Sequence, residues 1–297
     1  MEFVIRSENL TRRFGKRTVV EALDLKVREG SITAFLGPNG AGKTTTIRLL
    51  LGLLKAQEGM CEVLGLPPGH PEALAQLGAF VEAPSLYDHL TGLENAEITR
   101  WMRDLPRSES DRVLTLVGLQ NDARRPARTY SLGMRQRLAM ALALMGEPRL
   151  LILDEPTNGL DPIGIQEMRE LIRSIPRDTG ATVFLSSHIL AEVEQIASDV
   201  VVIHQGRLRY QGPMDLLGSP GSAQIEVRVD DPSRALRRLA EMGLSTRQEE
   251  DRILVEGTAD MAPRIAAGLV HEGLELFELG PRKVSLEARF LSLLEQE

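Results

Sequence analysis

Short apolar runs that end at polar residues recur through the first two thirds of the chain. Residues 32–36, 150–153 and 182–187 are such runs, and each is too short for a helix. Helical spacing of apolar positions follows at residues 46–51 and 165–175. Because buried strands that alternate with helices are typical of parallel sheets, this pattern predicts an α/β fold with a central parallel strand at residues 150–153.

The beginning, middle and end of the chain have other patterns. Residues 2–30 predict an antiparallel β-subdomain with strands from residue 3 and at 19–27, connected by residues 11–15. Residues 86–147 predict a helical insert. A linker at residues 218–222 separates a main domain, residues 1–217, from a small α+β appendage, residues 223–297. In the appendage we expect strands at 224–229, 253–255 and 274–279 and helices at 232–242, 262–272 and 286–294.

A glycine-rich stretch between the strand at 32–36 and the following helix predicts a phosphate site. It fits the pattern GxxxxGK[ST] in the strand–loop–helix setting that this pattern requires. Glycines let backbone N–H groups converge on an anion, and the helix N-terminus adds partial positive charge. Lys43 would reach the β- and γ-phosphates, and the Thr44 hydroxyl would ligate Mg²⁺. The predicted nucleotide-binding residues are Gly37, Pro38, Asn39, Gly40, Ala41, Gly42, Lys43, Thr44 and Thr45.

Acidic and basic side chains follow two later strands. Asp154 and Glu155 come directly after the run at 150–153, and His188 follows the strand at 182–187. Because open α/β sheets bind ligands at the carboxyl ends of their strands, Asp154 would hold Mg²⁺ through water and Glu155 would take a proton from the attacking water. His188 could orient that water against the γ-phosphate, or it could be a structural histidine.

Three further positions have a functional and a structural interpretation. Phe14 could stack on adenine or belong to the core. Glu82, at the end of a predicted strand, could reach Mg²⁺ through water or be a solvated carboxylate. Ser131 is a good N-cap for a long helix, and with Gly133 it could present a second anion-binding helix end or simply a capped helix.

Composition narrows the possible partners. The chain has 297 residues, a net charge of −7 and one cysteine. The acidic balance argues against nucleic acid as the main partner, and a single cysteine permits neither an intrachain disulfide nor a cysteine-based zinc site. No apolar run approaches the roughly 18 residues of a membrane span, so we expect any membrane role to need a partner.

The order and spacing of these motifs resemble the nucleotide-binding subunit of ABC transporters over about residues 2–215. Residues 37–45 look like Walker A, and residues 150–155 look like Walker B with the catalytic glutamate. His188 falls at the switch histidine, Asp161 in the D-loop, and Phe14 at the adenine-stacking aromatic. The signature aligns with residues 130–134 and contributes Ser131, Leu132, Gly133 and Met134.

This chain departs from the family pattern at two places. The signature has Tyr130, Leu132 and Met134 where leucine, glycine and glutamine are usual. Glu82 stands where the family has the Q-loop glutamine, so a carboxylate replaces an amide that could donate a hydrogen bond. Together with residues 80–95, these departures look similar to the bacitracin-, lantibiotic- and multidrug-resistance branch of bacterial ABC exporters.

The resemblance implies a P-loop NTPase core of RecA-like fold that binds ATP and Mg²⁺ and hydrolyses ATP. It implies a homodimer, or a pair with a closely related ABC subunit, in which the signature contacts the partner's ATP. It further implies a separate transmembrane permease, a cytoplasmic position at the inner face of the cell membrane, and export of drugs, antibiotics or peptides. An alternative is a soluble ABC-type ATPase that acts as a switch without transport. The DNA-repair type is disfavoured because residues 46–149 are too few for a long coiled coil, and the translation type because there is one cassette.

Overall fold

The computed structural model describes residues 3–81, 85–217, 224–249, 251–281 and 286–295. The chain divides into two compact units, Met1–Met214 together with Leu293–Glu297, and Asp215–Ser292. The predicted linker, residues 218–222, lies outside the described residues.

The first unit contains ten strands, seven α-helices and one short 3-10 helix, Ala127–Thr129, among its described residues. Its strands are β1 (Phe3–Phe14), β2 (Arg17–Leu23), β3 (Lys26–Arg28), β4 (Ile32–Leu36), β5 (Glu58–Val63), β6 (Leu77–Phe80), β7 (Leu150–Asp154), β8 (Thr182–Ser187), β9 (Asp199–His204) and β10 (Arg207–Pro213). Its helices are α1 (Lys43–Leu50), α2 (Pro71–Ala75), α3 (Gly92–Met102), α4 (Ser108–Leu116), α5 (Leu132–Ala143), α6 (Pro162–Thr179) and α7 (Leu190–Val193). A short helix α8 (Met214–Leu217) follows β10.

Strand β1 organises a four-stranded antiparallel sheet, in which it pairs with β2, β3 and β5. The expectation of one strand at residues 19–27 was wrong, because β2 pairs with the second half of β1 and β3 pairs with the first half. Residues 11–14, expected in a connection, continue β1 for the same reason, since Arg12 and Phe14 pair with β2. The predicted antiparallel subdomain is confirmed.

The second sheet has six strands in the order β10-β9-β4-β8-β7-β6. All its pairs are parallel except that of β10 with β9, so the carboxyl ends of β4, β7 and β8 meet at one edge. The register places Leu36 beside Ser187 and Asp154 beside Ser186. Strand β7 is an interior parallel strand, as its unbroken apolar sequence predicts.

Apolar side chains from both sheets and from α1 form one core. Phe35 of β4 and Phe184 of β8 are fully buried, with ring centroids 5.4 Å apart. Ile47 of α1 and Leu10 of β1 belong to the same cluster. Since burying each large apolar side chain stabilises the fold by about 1.5–3 kcal/mol, this core fixes the helix that follows the phosphate loop against the sheet.

Polar caps determine where the helices of the insert begin. The Thr91 hydroxyl accepts from the Glu94 N–H at 3.1 Å, and a Glu94 carboxylate oxygen accepts from the Thr91 N–H at 2.7 Å, so the capping box is confirmed. The Ser131 hydroxyl caps α5 by accepting from the Met134 N–H at 3.2 Å. Helix α6 is longer than expected. It begins at Pro162, which lacks an N–H, and ends at Thr179, where Gly180 caps it with a positive φ of 74°.

The second unit is an antiparallel sheet with helices between and after its strands. Strand β11 (Gln224–Val229) is followed by α9 (Pro232–Glu241), β12 (Thr246–Glu249), β13 (Arg252–Glu256), α10 (Ala262–His271) and β14 (Leu276–Pro281), and α11 (Leu286–Glu295) is the last described helix. The strand order is β12-β13-β11-β14. The sequence Thr-Arg-Gln-Glu of β12 lacks apolar alternation, which is why that strand was not predicted. The α+β class is confirmed.

Candidate functional site

The phosphate loop connects β4 to α1 through backbone conformations that glycine permits. Gly42 has φ 108°, and a Cβ atom there would lie 2.6 Å from the Val19 carbonyl oxygen. A Cβ atom on Gly37 would lie 2.3 Å from the Ile203 carbonyl oxygen. The loop therefore passes so close to β2 and β9 that side chains at these two positions would force the backbones apart.

The turn between β9 and β10 holds the loop from the other side. The Gly206 N–H donates to the Ala41 carbonyl at 2.9 Å, and the Gly206 carbonyl accepts from the Glu21 N–H at 2.9 Å. Main-chain hydrogen bonds thus join the phosphate loop to both sheets.

Lys43, the first residue of α1, points back along the loop. Its Nζ donates to the carbonyl oxygens of Gly37 at 2.8 Å and Pro38 at 3.3 Å. The same nitrogen lies 3.1 Å from Glu155 Oε1, and its side chain is only 6% exposed. A buried ammonium group is costly without such partners, so these contacts stabilise its charge at the loop.

Asp154 connects the loop to the neighbouring strand. Its Oδ2 accepts from the Thr44 hydroxyl at 2.8 Å, and its Oδ1 accepts from the Ser186 hydroxyl at 2.5 Å. The Ser186 oxygen also accepts from the Glu155 N–H at 2.9 Å. Ser186 therefore orients both acidic residues at the end of β7.

Glu155 and His188 face each other across the ends of β7 and β8. His188 Nδ1 lies 2.7 Å from Glu155 Oε2, and the side chains are 34% and 20% exposed respectively. Glu155 has a positive φ of 49°, a conformation that is uncommon for residues other than glycine and that clusters at functional sites. The carboxylate is thus held between an ammonium group and an imidazole at the rim of a cavity.

That cavity has a volume of about 490 Å³ and extends from the loop to β1. Phe14 lies in its wall with 46% of its surface exposed, and the Arg12 guanidinium lies 4.7 Å from the centre of the Phe14 ring. Phe14 is therefore not a core residue. The cavity is lined by Phe14, Arg17, Val19, Asn39, Gly40, Gly42, Lys43, Thr44, Thr45, Glu155, Asn158 and His188.

The donor set at the loop fits Mg²⁺. Thr44 and Asp154 present a hydroxyl and a carboxylate oxygen within hydrogen-bond distance of each other. In the part of the chain that the structure describes, no three His, Cys, Asp or Glu side chains cluster as a metal cage. Because Mg²⁺ is usually bound through one or two protein oxygens with water and substrate phosphates, this sparse arrangement suits it.

The predicted signature lies elsewhere on the molecule. Ser131 and Leu132, at the N-terminal end of α5, are exposed, and none of residues 131–134 lines the cavity. The Asp161 carboxylate caps α6 by accepting from the Gly164 N–H at 2.8 Å. Glu82, expected near Mg²⁺, lies outside the described residues.

The structure adds four site residues that were not predicted from the sequence, since Arg17, Val19 and Asn158 line the cavity and Ser186 contacts Asp154. The signal for Ser186 was available, since it is the penultimate residue of a strand that is predicted to be parallel to β7. The position of Arg17 depends on the β1–β2 pairing, in which Phe14 lies opposite Arg17.

A glycine-rich phosphate loop at the edge of a parallel sheet, with acidic residues after a neighbouring strand, defines a P-loop nucleoside triphosphatase. The family model described as ABC transporter matches residues 20–158. Strong similarity to curated ABC transporter ATP-binding proteins extends beyond that range. The chain belongs to the ATP-binding proteins of the ABC transporter family.

The relatives include proteins of antibiotic transport. The chain is 44% identical over 239 residues to the bacitracin transport ATP-binding protein BcrA of Bacillus licheniformis, covering 80% of this chain and 78% of the relative. It is 40% identical over 223 residues to the lantibiotic transport ATP-binding protein SrtF of Streptococcus pyogenes, covering 75% of this chain and 94% of the relative. A solved ATP-binding subunit of an ABC transporter superposes with a TM-score of 0.64 at 29% identity, covering 72% of this chain and 91% of that one.

Membership of this family makes the chain the ATP-binding and ATP-hydrolysing subunit of an ABC transporter, as the sequence motifs predicted. Among the described helices, none combines the length and the apolar character needed to cross a membrane.

Proposed function

We propose that two copies of this chain, or one copy and a closely related ABC subunit, close head to tail around two ATP molecules. ATP hydrolysis then drives a separate transmembrane permease that exports antibiotics, drugs or peptides. The chain acts at the cytoplasmic face of the cell membrane as a peripheral subunit. Two relatives are named as bacitracin and lantibiotic transport ATP-binding proteins, and these names support this class of cargo.

One observation carries the proposed pairing. The cavity that holds the phosphate loop, Glu155 and His188 includes no residue of the α5 end, Ser131–Met134, in which Ser131 and Leu132 are exposed. That end has the N–H groups of a helix first turn, and such groups suit an anion. A second copy would place its α5 end over the ATP bound in the first, so ATP would join the two chains.

Each site residue has a proposed contact with the nucleotide. Residues 37–45, which include Lys43, bind the phosphates, and Phe14 stacks on adenine. Thr44 and Asp154 hold Mg²⁺, which neutralises phosphate charge when it is bound. Ser131, Leu132, Gly133 and Met134 contact the partner's ATP, and Asp161 belongs to the D-loop between the two chains. Glu82 contacts Mg²⁺ through water in this proposal.

The chemistry of hydrolysis falls to the residues at the ends of β7 and β8. Glu155 accepts a proton from the attacking water at one carboxylate oxygen. His188, which lies 2.7 Å from the other oxygen, orients that carboxylate and the water. Lys43, 3.1 Å from Glu155 in the structure, is the group that moves to the phosphates.

Light scattering of the Glu155→Gln variant, with and without Mg-ATP, tests the pairing. This substitution removes the base but keeps the size of the side chain, so bound ATP should persist and hold a dimer. Adding Ser131→Glu should abolish the dimer, because it places a negative charge where the partner's γ-phosphate would lie, while ATP binding remains. Ser108→Glu is the matched control, since Ser108 is also exposed at the start of a helix of the insert.

A dimer that forms with ATP in Glu155→Gln and in its Ser108→Glu derivative, but not in its Ser131→Glu derivative, supports the proposal. A monomer that binds ATP in all three contradicts it. For the cargo, co-expression with a candidate permease should raise bacitracin tolerance of a sensitive host with the wild-type chain and not with Glu155→Gln.

A further inference from the structure

The segment between Glu155 and Asp161 is held from two sides. On one side the Thr157 hydroxyl contacts Glu192 Oε2 at 2.6 Å, and Glu192 lies in α7, four residues after His188. On the other side Gln136 of α5 donates from Nε2 to the Asn158 carbonyl oxygen at 2.9 Å. The segment thus connects the catalytic end of the sheet to the helix that carries the signature.

The N-terminal end of α5 packs directly on this segment. A Cβ atom on Gly159 would lie 3.2 Å from Leu132 Cδ2, and one on Gly133 would lie 3.6 Å from Leu160 Cδ2. The α5 end and the segment therefore lie against each other at the surface, where Leu132 and Gly159 are exposed.

Gln136 is the polar contact at this junction. Its side chain is 4% exposed, and its Oε1 is buried without a hydrogen-bond partner among the described residues. An apolar side chain of the same size would fill the space without leaving a buried acceptor unpaired. The Nε2 bond to Asn158 is therefore the feature that distinguishes glutamine at this position.

Asn158 belongs to the wall of the chain's own ATP cavity. It lines that cavity together with Glu155 and His188, and its N–H donates to the Glu155 carbonyl at 3.0 Å. The backbone of α5 joins Ser131 to Gln136. One hydrogen bond then joins Gln136 to Asn158, and a second joins Asn158 to Glu155.

We propose that Gln136 is a positioning residue that couples one ATP site to the other. The proposal rests on the pairing described under Proposed function, in which the α5 end contacts the partner's ATP. When that contact forms, the Gln136–Asn158 bond sets the segment 155–158 in the chain's own cavity, so a chain becomes competent for hydrolysis after it has engaged its partner's nucleotide.

The test compares turnover with dimer formation in matched variants. Gln136→Met keeps the length of the side chain and removes the donor. Gln166→Met is the control, since Gln166 lies on the exposed face of α6, where its Nε2 bonds Glu170 at 3.0 Å. Phosphate release gives kcat per nucleotide-binding molecule, and light scattering in the Glu155→Gln background gives the ATP concentration for half-maximal dimer.

We expect Gln136→Met to lower kcat about tenfold, the effect of one buried hydrogen bond, with KM and the dimer midpoint unchanged. Gln166→Met should behave as wild type. A kcat of Gln136→Met within about twofold of wild type would overturn the coupling. So would a fall in kcat that is matched by an equal loss of dimer formation. Gln136→Leu, which also lacks the donor, gives the same comparison if the methionine variant is poorly folded.

The same measurements distinguish failure of the proposed dimer from failure of the proposed coupling. If Glu155→Gln with Gln136 intact forms no dimer with ATP, the proposed function fails and the coupling fails with it. If that dimer forms and Gln136→Met hydrolyses ATP normally, only the coupling is overturned.

Discussion

His188 Nδ1 lies 2.7 Å from Glu155 Oε2, although the two residues are 33 positions apart in the chain. Parallel pairing of β7 with β8 creates this contact, because it brings the ends of the two strands to the same edge of the sheet. The imidazole is therefore positioned to act through the carboxylate.

This contact predicts that substitutions of Glu155 and His188 have non-additive effects on kcat. Glu155→Gln should lower kcat on the order of 10²–10⁴-fold, as expected for loss of a general base, and leave ATP affinity unchanged. His188→Ala should lower kcat less in the wild-type chain and have little further effect in Glu155→Gln. Steady-state phosphate release and ATP titration of the four proteins measure this. Effects that multiply would instead show that His188 acts on the phosphate independently of Glu155.

The Ser186–Asp154 bond predicts a change in the Mg²⁺ requirement. Ser186→Ala removes the donor to Asp154 Oδ1, so the carboxylate that is proposed to hold Mg²⁺ is less well oriented. Loss of such a supporting contact typically weakens metal affinity about 10–100-fold, so half-maximal ATPase should need more Mg²⁺. Titration of activity with Mg²⁺ at saturating ATP measures the shift. Ser174→Ala on α6 is the control, and an equal Mg²⁺ requirement in the two variants would contradict the prediction.

The contacts of the β9–β10 turn predict that alanine at Gly206 destabilises the protein more than alanine at Gly30. Gly206 and Gly30 have φ values of 80° and 74°, so alanine at either costs roughly 1–2 kcal/mol of backbone strain. A Cβ atom on Gly206 would also lie 2.5 Å from the Val19 carbonyl oxygen, whereas one on Gly30 meets nothing within 4 Å. Gly206→Ala should therefore lower the melting temperature further than Gly30→Ala and also weaken ATP binding, because Gly206 holds Ala41 of the loop. Equal ATP affinity in both variants would argue against this anchoring.

The contacts of Tyr130 predict that the cost of replacing Gly92 depends on the residue at position 130. Its hydroxyl donates to the Asp122 carbonyl at 2.7 Å, and a Cβ atom on Gly92 would lie 2.3 Å from that hydroxyl. Gly92→Ala should reduce the free energy of unfolding by about 1–3 kcal/mol through overpacking. In a Tyr130→Leu background the same change should cost little or stabilise α3, since alanine is the better helix residue. Denaturant unfolding of the four proteins checks this, and an equal cost of Gly92→Ala in both backgrounds would count against it.

Predictions from the sequence succeeded where the chemistry is contiguous. The phosphate loop is a single stretch between a strand and a helix, and Thr91 and Glu94 form their capping box within one turn. Prediction was weaker where a boundary depends on a distant partner. Residues 17–28 divide into two strands because each pairs with a different part of β1.

The sequence by itself determined the α/β class, the phosphate loop and the acidic end of β7, because these follow from local periodicity and from residues adjacent in the chain. Only the tertiary structure decided that Phe14 is exposed in the cavity wall, that Ser186 orients Asp154, and that Gln136 reaches Asn158. Strand register and helix packing bring such residues together across 22 to 32 positions. Those contacts depend on the whole core, and no local pattern of hydrophobic and polar residues specifies them.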